Sequence, residues 1–66
     1  MTIPVERTRA IMAARDFLFD LLDPKKTPSV PRAIRQRASR VLRHFPFRID
    51  LSMAHRVCPD TWGEPE

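Results

Sequence analysis

The chain has 66 residues, with 12 Lys or Arg against 8 Asp or Glu and a formal net charge of +4. One cysteine rules out an internal disulfide, and one glycine rules out a Gly-rich phosphate loop and fits poorly with a turn-rich all-β fold. So short a chain buries a modest core worth about 3–5 kcal/mol, and its apolar content is still too high for a disordered polymer.

Residues 3–22 are predicted as a first helix, with Thr2 as N-cap and Pro4 in its first turn. At 100° per residue, Ala10, Ile11, Ala14, Phe17, Leu18, Leu21 and Leu22 fall within an arc of about 140°, with Arg9, Asp16 and Asp20 on the other side. Met12 and Phe19 add a flanking apolar stripe, suited either to a further helix of the same chain or to a second copy. Arg7 lies inside the apolar arc, which suggests that its guanidinium binds free carbonyls at the end of the second helix, near Leu42–Phe45.

A second helix is expected over residues 30–45, capped by Ser29, with Pro31 in its first turn and Pro46 ending it. Ile34, Ala38, Val41, Leu42 and Phe45 make its apolar stripe, and small Ala38 facing small Ala14 would let the helices approach closely. The short connection between them leaves room only for an antiparallel αα-hairpin. In residues 47–53, Phe47, Ile49, Leu51 and Met53 alternate as in a strand. A lone strand has no pairing partner, so a short helix over 48–57 is preferred, with Asp50 in its first turn. An irregular tail follows, in which Trp62 is expected to fold back over the hairpin and Cys58 to be a small buried hydrophobe. The fold class is therefore all-α, one small domain over residues 1–66.

Charge is concentrated. From Pro24 to Ile49 there are eight Lys or Arg and no Asp or Glu. On the second helix Arg32, Arg35, Arg40 and Arg43 point away from the apolar stripe, with Arg37 at its margin. Such a face suits anionic partners, because guanidinium groups grip carboxylates and phosphates in pairs of hydrogen bonds. Nucleic acid is the weaker expectation. The face lacks interleaved aromatics, Gln36 alone suits base edges, and the connection exceeds a helix-turn-helix turn.

His44, His55 and Cys58 are too few and too scattered for a metal centre, and a Cys58–His55 pair would lack an oxyanion hole. No enzymatic activity, metal or cofactor is expected. The opening lacks the layout of a secretory leader and no apolar run is long enough to span a bilayer, so cytoplasmic residence without membrane association is anticipated.

The opening Met1-Thr2-x-Pro4-x-Glu6-Arg7-Thr8-Arg9-Ala10, Phe17-Leu18, and Leu42-Arg43-His44-Phe45-Pro46 with Asp50-Leu51 following resemble a family of short proteobacterial proteins with no assigned function. The likeness covers roughly residues 1–51. Phe47 stands where family members often carry a small hydroxyl residue. The resemblance implies a small all-helical protein and carries over no activity or cofactor. Both anchors meet at one end of the proposed hairpin, which groups Glu6, Arg7, Arg9 and His44 as a polar lock or partner site.

The sequence thus points to a non-enzymatic interaction protein. It would dock an acidic partner through the arginine face, or self-associate, as a homodimer for example, through Met12, Phe19 and Trp62. The rival is a small nucleic-acid-binding accessory protein using the same arginines.

Overall fold

Prolines and carboxylates, rather than hydroxyl caps, set where the helices of this chain begin. A computed structural model describes residues 2–65 and places α1 at Pro4–Leu22, α2 at Arg32–Leu42 and α3 at Arg48–Val57. Among the described residues there is no strand. The alternation at 47–53 is therefore helical, as the lack of a pairing partner requires.

Pro4 opens α1 at the position where a missing N–H costs nothing. The residue before it, Ile3, is the cap, not Thr2. Its carbonyl accepts from the Glu6 and Arg7 amides, and its own N–H donates to the Glu6 carboxylate at 3.3 Å. Helix α3 repeats the device. Phe47 stands at the cap, and its N–H donates to Asp50 Oδ2 at 2.8 Å. In both cases an acid in the first turn supplies one arm of a capping box and complements the positive end of the helix dipole.

Helix α2 has neither. Pro31 is its N-cap, no side chain caps it, and Ser29 lies in the preceding loop, so the expected Ser29 cap is corrected. The helix also stops three residues earlier than expected, since Pro46 disfavours helical geometry at Phe45.

The chain divides into two compact units that share α1. Ala14–Phe45 holds the second part of α1, the connection and α2, which pack as the expected helical hairpin. Thr27 closes the connection by donating through its hydroxyl to the carbonyls of Asp20 at 2.7 Å and Asp23 at 3.0 Å. Lys25 N–H donates to Asp23 Oδ1 at 2.9 Å, and Lys26 pairs with Asp20 at 3.3 Å. Thus the Asp20 carbonyl in the last turn of α1 and the Asp23 carbonyl just beyond it find donors within the loop.

Ala38, 2% exposed, is the buried centre of this unit, whereas Ala14 is exposed. Nor is the apolar seam fully closed. Phe17 is 62%, Val41 51% and Ile34 38% exposed. Two helices touch along one line only, and residues on the flanks of that line stay open.

The other unit combines the start of α1, up to Ala13, with Pro46 onward. Its centre is Leu51 together with Thr8, which is 1% exposed. The tail crosses the first turns of α1. Gly63 N–H donates to the Pro4 carbonyl at 3.0 Å, and Thr8 Oγ1 donates to the Gly63 carbonyl at 2.9 Å. His55 Nδ1 bonds the Trp62 carbonyl at 2.9 Å, Arg48 donates to the Pro65 carbonyl at 2.9 Å, and Arg7 donates to the Thr61 carbonyl. An irregular segment can be buried only if its backbone groups are satisfied, and here side chains from two helices do so.

Gly63 explains itself by close approach. A Cβ there would lie 2.4 Å from Val5 Cα and 2.6 Å from Val5 N. Trp62 belongs to a tail fastened to the start of α1 and to α3. Cys58 is exposed rather than buried, because it sits at the C-cap of α3 where the chain turns away.

Candidate functional site

Six side chains of the hairpin unit border an open groove of about 190 Å³: Leu18 and Leu21 from α1, and Ile34, Arg37, Ala38 and Val41 from α2. The spacing explains the α2 wall. Ile34, Ala38 and Val41 lie one helical turn apart and form a single ridge, with Arg37 bordering it. The floor is closed at buried Ala38, the smallest member, while Ile34 and Val41 stand up on the open side. The lining is aliphatic except for Arg37, whose three-carbon stem can cover apolar surface while its guanidinium reaches water.

Beyond Arg37, the outer side of α2 is basic. Arg32, Arg37, Arg40 and Arg43 are exposed, and none of their guanidinium groups has a hydrogen-bond or ion-pair partner among the described residues. Arg37, Arg40 and Arg43 follow one another at intervals of three, so they form a continuous stripe along the helix. The whole unit Ala14–Phe45 holds eight Lys or Arg against three Asp, a formal +5, while the rest of the chain holds four against five.

Arg35 leaves this set. It is half-buried, and its guanidinium donates to the Leu21 carbonyl at 2.6 Å, to Thr27 Oγ1 at 3.3 Å and to the Thr27 carbonyl. Its angular position, next to Leu42 on the flank of the apolar stripe, turns it toward the end of α1. There a cation both fills open carbonyls and complements the helix dipole. Arg35 is therefore a structural clamp, and Arg37 takes its place on the open face.

The polar residues expected at the hairpin end have these surroundings. Glu6 caps α1, and Arg7 donates to the Thr61 and Thr2 carbonyls instead of those near Leu42–Phe45. Arg9 and His44 are exposed, Arg9 in the tail-bearing unit and His44 in the hairpin unit.

Of the residues read as a contact surface, Met12 and Trp62 are half-buried in the tail-bearing unit. Phe19, in the hairpin unit, is exposed, with the Arg15 guanidinium 5.1 Å from its ring centroid. That distance is a cation–π contact. Helix α3 carries a further apolar stripe. Ile49, Met53 and Val57, spaced by one turn each, are exposed along α3, while Leu51 turns inward.

Among the described residues no three His, Cys, Asp or Glu cluster in a way that could hold a metal ion, and no helix is long and apolar enough to cross a membrane. No protein-family model, curated protein or solved structure matches the chain.

Proposed function

We propose that this chain is a non-enzymatic interaction module that docks an acidic protein partner through the outer face of α2. The supporting observation is the set of four exposed guanidinium groups, Arg32, Arg37, Arg40 and Arg43, with no partner among the described residues. Arginine forks suit carboxylates, and three on one short helix with a fourth at its C-cap focus a field that speeds encounter with an anionic surface. Cytoplasmic residence belongs to the same reading. Self-association through the same face is disfavoured, because it would bring two units of formal charge +5 together.

The test is fluorescence anisotropy with two labelled probes at low and at physiological salt: a 20-residue Glu-rich peptide and a 20-nucleotide single strand. Wild type should bind the peptide at least tenfold more tightly than a variant carrying Arg32→Ala, Arg37→Ala, Arg40→Ala and Arg43→Ala. Equal binding by the two proteins would overturn the reading. So would binding of the oligonucleotide alone, with the steep loss on adding salt that phosphate contacts produce.

A further inference from the structure

We infer that the groove between α1 and α2 is the seat for one face of an acidic amphipathic helix, which inserts a Leu- or Phe-sized anchor and pairs its carboxylates with Arg37 and Arg40. This deepens the docking role proposed above and rests on it.

Size comes first. An apolar cavity of about 150 Å³ accepts a benzene ring. The groove, at about 190 Å³, has room for one aromatic or leucine anchor. Apart from Arg37, its walls are Leu18, Leu21, Ile34, Ala38 and Val41, whose side chains have no polar atom to offer a small polar ligand. Anchors of this kind are what a helix presents when it lies in a hydrophobic groove, at intervals of three or four residues.

The charge pattern then selects the helix. Arg37 stands in the groove wall, and Arg40 is its neighbour one turn along. A partner helix whose anchor enters the groove carries its next residues past these two guanidinium groups. Acids at those positions gain charge-assisted hydrogen bonds, whereas a lysine-rich helix meets repulsion. The same positive charge argues against a second copy of this chain as the occupant.

The experiment uses the full chain labelled with ¹⁵N and two synthetic 16-residue peptides of identical composition. In the first, Leu occupies positions spaced by three and four, and Glu fills the other face. In the second, the same residues are scrambled so that no apolar face forms. The first peptide should shift the amide resonances of Leu18, Leu21, Ile34, Ala38 and Val41 and bind at least tenfold more tightly than the second. Val41→Glu, at an exposed position, should weaken the first peptide at least tenfold. Arg37→Glu should do the same and restore binding to a version carrying Lys in place of Glu.

Equal binding of both peptides through the arginines, without shifts in the groove, would overturn this inference and leave the acidic-partner reading intact. Binding of neither would remove both. Should Val41→Glu fail to fold, the comparison of the two peptides on wild type still decides.

Discussion

Thr8, a hydroxyl residue in the first turns of α1, donates at 2.9 Å to the carbonyl of Gly63, 55 positions further along the chain. Both residues are buried. The bond is one of a series. Consecutive tail carbonyls at Thr61, Trp62 and Gly63, and then Pro65, each take a donor from a different side chain, namely Arg7, His55, Thr8 and Arg48. An irregular segment is thereby held in a fixed register.

Replacing Thr8 by Val keeps the shape and removes the donor, leaving the Gly63 carbonyl buried with a partner lost. The expected loss is about 1–3 kcal/mol, the range for stranding a buried polar group. Urea denaturation of the two proteins measures it. An unchanged midpoint would show that the bond contributes nothing to stability.

Gly63→Ala acts through space rather than backbone conformation, since no residue among those described has a positive φ. The added methyl would meet Val5 Cα at 2.4 Å and Pro4 C at 2.9 Å, both helix backbone atoms that cannot swing aside. The tail should therefore lift away, and the amide of Gly63 should exchange with solvent at least tenfold faster than in wild type. Retained protection would contradict the close approach.

Arg35 and Arg40 lie on the same helix and should respond differently. Arg35→Ala removes the donor to the Leu21 and Thr27 carbonyls and is expected to cost about 1.5–3 kcal/mol, as for hydrogen bonds from charged groups. Arg35→Lys should recover part of this, because an ammonium cannot span two carbonyls as a planar fork does. Arg40→Ala should change stability by no more than about 0.5 kcal/mol, as is usual at open surface positions. Thermal or urea unfolding of the three variants separates clamp from free face; equal losses at 35 and 40 would refute it.

The sequence made the helices legible because each carries its own period and its own punctuation. Helix α3 emerges at 48–57 as expected, since Asp50 marks its first turn and Leu51 its inward side. Ser29 misled because a hydroxyl before a helix is a common cap, whereas Pro31 next to Arg32 fixes the start by geometry alone. Arg7 drew attention correctly as a cation in an apolar arc, but its carbonyl partners lie in a tail whose path no periodicity encodes. Thr8 falls four residues before Met12 on the flanking stripe, and a hydroxyl does not register in an apolar pattern. The lone glycine was the remaining clue: in a chain with one, its position marks a place where backbone meets backbone.

The tail's fastening also imposes an order of assembly. Bonds that close the hairpin join residues 4 to 14 positions apart, while Arg7 and Thr8 wait for partners 54 and 55 positions away. Long-range pairings form late because loop closure must come first. During synthesis, which proceeds from the N-terminus, the opening turns of α1 stay incomplete until Thr61 and Gly63 have been added. A chain ending at Asp60 should keep slow amide exchange around Ala38 and lose it around Thr8.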